Sequence, residues 1–332
     1  MKVILSRKGW DTTIKDGKEI NGGSASPIIG DTMLSLPIPD EDDSQYCSYD
    51  DISYNGFSYW DIIKGLRHER EDKYFNEILH ANSGRGCHLD PDIRRGIRDE
   101  PDGWQPAFGQ IGIPARHLDK QGVKAGDLFL FFGLFEWAKL NNGSFSYDKQ
   151  SETEKGIHAI FGYMQIGEIV KEQKRITEEF HWHPHGRDDR FKPKQKRKER
   201  YNRVYTPSET LQLGDERIDA LKLPGSGCFK FDEKLRLTMH KDKLKSTDNN
   251  KVTMTMWDYE KLPDVFKTKR DNPDAVDFEM SFHKSKNYGE DFFSGGVRQG
   301  QEFVMAEDDS VNEWVRDLFL HLNDNNRIER WD

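Results

Sequence analysis

The chain of 332 residues has little of what would assign a protein quickly. Its three cysteines, Cys47, Cys87 and Cys228, are far apart, odd in number and form no CxxC pair. This excludes a disulfide-stapled scaffold and a thiolate zinc knuckle, and matches a reducing compartment. No apolar run has the length needed to span a bilayer, and the first residues lack the long apolar core of a signal peptide. The expectation is a cytoplasmic protein with no membrane partner. Positive charge is not in excess either. Lys and Arg total 50 against 59 Asp and Glu, a formal net charge of -9, whereas proteins that coat nucleic acid leave a basic footprint. Any contact with DNA must therefore be local.

Familiar catalytic signatures are missing too. There is no G-x-x-x-x-G-K-[ST] loop, no strand-linked G-x-G-x-x-G, no G-x-S-x-G elbow and no H-x-E with P-C-x-x-C. A nuclease of the PD-(D/E)xK type would start at Pro91-Asp92, but no later strand carries a clean Glu-x-Lys. Internal repeats and low-complexity linkers are absent. Residues 1–332 therefore read as a single intertwined α+β domain, and 34% apolar residues at this length allow a sizeable core.

What is present starts with Met1-Lys2-Val3-Ile4-Leu5, a short buried-strand pattern running into Ser6-Arg7-Lys8-Gly9-Trp10-Asp11. A charged tip on a core strand reads equally as a site or as a solvated strand end. Two β-type runs about Gly30-Asp31 predict a hairpin, with Ser26-Pro27 at one end and Pro37 and Pro39 at the other. A helix is predicted from near Ser58, through Trp60, Ile63 and Leu66 to Tyr74, Phe75, Ile78 and Leu79. The Asp-Pro and Pro-Asp pairs of 88–102 predict a structured loop. Residues 126–133 and 159–170 read as long buried strands, with a polar hairpin tip at Asn141-Asn142-Gly143-Ser144. The stretch 171–213 reads as irregular. Further strands are expected at Cys228–Phe231, Leu235–Met239 and Val252–Met256, and a final helix at Val311–Leu322. The expected fold class is α+β, with a mixed or antiparallel sheet or a small β-barrel and flanking helices.

Several clusters carry chemistry. His88, Asp90 and Asp92 alternate, and two carboxylates with an imidazole serve acid–base work or hold a hard cation. The same carboxylates also suit turn caps before Pro91 and Ile93. With Asp11 they are the catalytic candidates. Arg7, Lys8, Ser26, Arg85 and Arg187 are the phosphate or oxyanion contacts. His181, His183 and His185 alternate, and in an extended chain would face one side. Contact of His183 and Arg187 with an anion or base, beside a stacking Trp182, is the preferred reading over a metal. The histidine-rich segment shows no fourth ligand, so no tightly bound metal is expected. An ion held between His88, Asp90 and one of those histidines would overturn this. Gln110 suits an adenine-type edge and His117 a proton shuttle. Gln301 and Glu302 begin an apolar strand and, with Arg7, Lys8 and Asp11, read as strand-end polar residues around one cleft that contact a nucleotide or phosphate. The basic run 191–203 reads as a solvated loop or a local DNA contact.

The strand with S-R-K-G-aromatic-D, the Gly-rich S-P-I segment and the L-P-I-P stretch resemble the opening of the nucleotide modification associated domain 3 family. The likeness continues in Cys87-His88-Leu89-Asp90-Pro91-Asp92-Ile93, Ala107-Phe108-Gly109-Gln110, Gly126–Gly133 and Gly300–Val304. The resemblance implies a protein that acts on or recognises a nucleotide or DNA base in a DNA-modification or phage-conflict system, with other proteins of such an operon as partners. Around 105–175 the strand order also resembles small PUA, ASCH and EVE-type barrels, which implies a base-binding pocket. A non-catalytic reader of a modified base and a metal-dependent nuclease are the alternatives. Reaction, cofactor and oligomeric state are not legible in the sequence.

Overall fold

The computed structural model describes residues 1–9, 13–15, 18–20, 25–39, 47–67, 85–148, 156–187, 201–244, 252–272, 279–280, 286–288, 290–295, 302–305 and 307–330, with backbone alone at 13–15, 18–20, 269, 279–280, 286–288 and 295. Trp10, Asp11, the Gly22–Ser24 stretch, most of the acidic 41–51 segment, the Tyr74–Leu79 half of the first helix, the basic run before Tyr201, Gly296, Gly300 and Gln301 lie outside the described residues.

Among the described residues eleven strands form one mixed sheet that curls into a half-barrel. In chain order they are β1 (Val3–Arg7), β2 (Ser26–Ile29), β3 (Thr32–Met33), β4 (Phe108–Ile111), β5 (Leu128–Asn141), β6 (Ser144–Tyr147), β7 (Ile157–Val170), β8 (Asn202–Pro207), β9 (Ser226–Cys228), β10 (Glu279–Met280) and β11 (Glu302–Met305). The sheet runs β4-β8-β7-β5-β1-β11-β10, with β2 and β6 also on β5, β9 on β7 and β3 on β2. Because β1 lies between β5 and β11, both ends of the chain enter the same sheet.

The continuous apolar run that predicted a buried strand is β5, whose first nine residues are all buried. Over that stretch both faces of the sheet are covered, so neither side-chain set reaches water. One edge holds β7 antiparallel. The other changes partner along its length, from β1 beside Leu128–Phe132 to β2 beside Phe135–Ala138. Between them, the Lys8 N–H donates to the Phe132 carbonyl at 2.7 Å. A Cβ at Gly133 would lie 2.7 Å from the Lys8 carbonyl oxygen, so glycine allows the end of β1 to press against β5. Here the chain carries its first two cationic side chains into the interior.

The hairpin at Gly30-Asp31 forms, as β2 and β3, and Asn142-Gly143 closes β5 onto β6. Helix α1 (Tyr59–Arg67) and helix α2 (Ile113–Lys120) flank the sheet. The C-terminal helix α3 (Asp309–Asp324) buries Val311, Val315, Leu318, Phe319 and Leu322. The described parts of 171–213 hold more regular structure than expected: Gln173–Glu179 is helical and β8 pairs with both β4 and β7. The polar residues of β8 hid it, because its Asn202 and Arg203 hold side-chain partners rather than face water. The expected strands at 235–239 and 252–256 are reduced to isolated bridges and a turn, pinned by single bonds such as Leu237 N–H to the His158 carbonyl at 2.8 Å and Met256 N–H to that of Thr253 at 3.0 Å.

Candidate functional site

A cavity of about 150 Å³ opens where β1 ends. Arg7 and Lys8 line it at the end of β1, His88 and Asp90 from the short strand Cys87–His88 and the residues just past it, Gln110 from β4 and His185 from a single 3-10 turn, Pro184–Gly186. These segments come from four distant parts of the sequence.

Lys8 did not prove to be a solvated strand end. Only 8% exposed, it holds its ammonium 3.3 Å from Glu302 Oε1 and 4.1 Å from the centre of the Phe108 ring. Gln110 Nε2 donates to the same carboxylate oxygen. Register explains the meeting, because Ser6 on β1 sits opposite Glu302 on β11 and Lys8 shares the face of Ser6. Burial pushes the Glu302 carboxyl up; the Lys8 charge and hydrogen bonds from Ser6, Lys8 and Gln110 oppose that rise. Arg7 is also buried, and its charge together with burial keeps His158 neutral, well below its usual pKa.

On the opposite wall, Asp90 is the hub. Its Oδ1 accepts the Gly109 N–H at 2.8 Å and lies 3.4 Å from His183 Nε2. Its Oδ2 lies 3.7 Å from His185 Nε2 and 3.9 Å from His88 Nε2. The three donor atoms of His88, Asp90 and His185 fall within 4.8 Å of one another, the spacing of a group able to hold a metal. Burial alone would raise the Asp90 carboxyl, but the His183 hydrogen bond and the three imidazoles outweigh it and hold the group well below the carboxylate range. Burial dominates at His185 and lowers it to about 3, against the pull of Asp90.

The tautomers follow from the neighbours. Asn202 Nδ2 donates to the His185 carbonyl at 3.0 Å, which turns Asn202 Oδ1 towards His185 Nδ1, 2.9 Å away. His185 therefore carries its proton on Nδ1 and presents the Nε2 lone pair to Asp90. His183 is the reverse. Its Nδ1 accepts the His185 N–H at 3.2 Å, leaving the Nε2 proton aimed at Asp90.

The remaining candidates sit elsewhere. Asp92 turns from the cavity: its backbone pairs with Ala107, and its carboxylate takes Arg98 and the Trp104 indole N–H, the latter at 2.9 Å. Burial raises its pKa against the Arg98 charge. Arg85 is at the surface, 2.8 Å from Asp50 and stacked on Trp60. Ser26 accepts the Leu36 N–H at 3.0 Å within the hairpin. His117 lies in the last turn of α2, and Arg187 is buried beyond the cavity lining. The histidine-rich segment is a turn rather than an extended strand, so His181 points to solvent while His183 and His185 point inward. Trp182 packs with Phe180 and Trp104 in a small core and is not presented for stacking. Asp11 and Gln301 lie outside the described residues.

Sequence reasoning missed Asn202 and Gly109. Asn202 closes a basic run and gives no signal of its own. Gly109 is legible only in space, because a Cβ there would lie 2.2 Å from the His185 ring. A larger hollow of about 700 Å³ near Arg94, Lys230 and Arg330 gathers no ligating cluster among the described residues, and its Arg94–Glu329 pair at 2.8 Å ties the 85–102 loop to the C-terminal segment.

Residues 2–306 match the sequence model of nucleotide modification associated domain 3. No curated protein matches the chain, and no solved structure does.

Proposed function

The chain belongs to the nucleotide modification associated domain 3 family, and from that premise we propose that it takes a nucleotide or DNA base into the cavity at the end of β1 and acts on it there. The observation that supports this is convergence. Arg7-Lys8, His88-Asp90, Gly109-Gln110 and His185, remote in sequence, line one cavity, and Glu302 braces its floor. At about 150 Å³ the space is below the ~300–1,000 Å³ of usual ligand pockets, so it suits a base with its sugar and phosphate outside. Gln110 offers donor and acceptor to a base edge, Lys8 an ammonium to an anionic group, and Asp90 with His88 and His185 a group of donor atoms facing the same cavity. Residues 105–175 supply β4, α2, β5, β6 and β7, the part of the curled sheet that carries the likeness to base-binding barrels. The setting we infer is a DNA-modification or phage-conflict system inside the cell.

The test is calorimetric titration with nucleosides, nucleotides and short duplexes, paired with mass spectrometry of nucleosides after incubation with the protein. Binding that is lost in Gln110→Ala, together with a changed nucleoside mass, is the expected result. Binding with no chemical change would make the protein a reader of the base. No binding of any of these at low salt would remove the substrate class.

A further inference from the structure

We infer that His88, Asp90 and His185 form a binding site for one divalent transition-metal ion, with Asp90 ligating through Oδ2 and both histidines through Nε2. The inference goes beyond the nucleotide reading and stands or falls without it.

Four observations carry it. First, the donors are of the right kind and spacing. Two imidazole nitrogens and a carboxylate oxygen lie within 4.8 Å of one another, with 3.7 and 3.9 Å from each nitrogen to Asp90 Oδ2. Tetrahedral ligation at roughly 2.0–2.1 Å puts donors about 3.4 Å apart, so each nitrogen needs to approach Asp90 Oδ2 by only a few tenths of an ångström, and the two nitrogens already lie within 4.8 Å of each other. Second, the two carboxylate oxygens are assigned different work: Gly109 N–H donates to Oδ1, which His183 Nε2 approaches to 3.4 Å, and Oδ2 is turned to the other two histidines. Third, Asn202 fixes the His185 proton on Nδ1, so that the Nε2 lone pair points at Asp90 Oδ2. Two lone-pair donors aimed at the same point are what a cation draws together. A hydrogen bond from the outer ring nitrogen to an amide or carboxylate is how metal-bound imidazoles are oriented. Fourth, the three ligands line a cavity, so the remaining coordination positions are open to water or a substrate oxygen, as in catalytic rather than structural sites.

The donor set selects the ion. Magnesium and calcium prefer all-oxygen shells, while imidazole with one carboxylate suits zinc or ferrous iron. Cys47, Cys87 and Cys228 are not in the cluster. His183 acts as a positioning residue: its Nε2 lies 3.4 Å from Asp90 Oδ1, and it donates no lone pair to the ion.

The experiment uses the full chain, stripped with chelator, and the metal alone. Equilibrium dialysis with Zn²⁺, and anaerobically with Fe²⁺, should give one ion per chain. Co²⁺ should give a visible d–d spectrum without a thiolate charge-transfer band. His185→Ala and Asp90→Asn should each abolish the stoichiometric ion, His183→Gln should weaken it by about 10–100-fold, and His181→Ala should leave it unchanged. If the ligand variants fail to fold, the cobalt spectrum of the unaltered chain still decides. Absence of a stoichiometric ion, a thiolate band, or unchanged binding in folded His185→Ala would overturn the assignment.

Discussion

Lys8 and Glu302, 294 positions apart in the chain, meet as a buried ion pair with 3.3 Å between Nζ and Oε1. Their side chains are 7% and 0% exposed. The pair ties β1 to β11, the last described strand of the sheet in chain order, and Glu302 stands behind two cavity-lining residues, Lys8 and Gln110. Removing one member of such a pair leaves a charge without its counterpart in the interior, at a cost of about 3–5 kcal/mol, whereas replacing both with apolar groups is often neutral. Lys8→Met and Glu302→Met should therefore each lower stability strongly, and the double variant should recover much of the loss. Urea unfolding of the three variants measures this. Additive losses would show that the two groups do not interact.

The sequence showed the strands that are buried on both faces, because apolar runs such as 128–135 have one reading when bounded by glycines. It also showed α3, whose apolar stripe repeats at helical spacing. It did not show β8, since Asn202 and Arg203 look like solvated residues until their partners across the fold, His185 and Asp119, are known. Lys8 read equally as a site residue or a solvated strand end, and what the sequence could not show is that Glu302, from near the far end of the chain, is its buried ion-pair partner. The alternation of His88, Asp90 and Asp92 was visible, but not that Asp92 would be taken up by Arg98 and Trp104. Similarly, three cysteines far apart gave no hint that the Cys47 and Cys87 sulfurs lie 3.6 Å apart.

The cysteines should be inert in the native protein. All three are buried. Burial, and then the hydrogen bond with Cys47, push the Cys87 thiol well above its usual pKa, and burial pushes Cys228 up to about 12. The thiolate is the reactive form, so a disulfide reagent at neutral pH should find no thiol in the folded chain and three after denaturation. Rapid reaction of a native thiol would contradict the burial.

Acid should destabilise the fold before the carboxylates titrate. His158 is fully buried, accepts the Trp257 indole N–H on Nδ1 at 3.0 Å, and is held neutral by burial and by Arg7. Its folded pKa lies below the ordinary 6.5, so below that pH the unfolded chain binds a proton that the folded chain does not. The contribution is complete above pH 6.5 and is lost as pH falls towards the folded value. Linkage gives a slope of about 1.4 kcal/mol per pH unit for one proton. His158→Gln keeps an acceptor for Trp257, and should make the fall in stability as pH drops below 6.5 shallower by up to one proton. An unchanged slope would show that His158 ionises in place.

Gly109 decides whether His185 can stand where it does. The 2.2 and 2.3 Å separations between a Cβ at this position and His185 Cδ2 and Cγ are far inside contact distance, and the imidazole is held from behind by Asn202. Gly109→Ala must therefore push the ring out of line or shift β4, and overpacking of this kind costs about 1–3 kcal/mol. The Gly109 N–H bond to Asp90 would be disturbed by the same shift. The expected phenotype is a folded protein of lower melting temperature with the His88–Asp90–His185 geometry lost, seen as altered imidazole resonances. Removing the obstructing ring separates this from a general backbone effect: Gly109→Ala should cost little when added to His185→Ala. If it costs as much there as in the unaltered chain, the clash is not with His185, and the reason for a glycine lies in the strand.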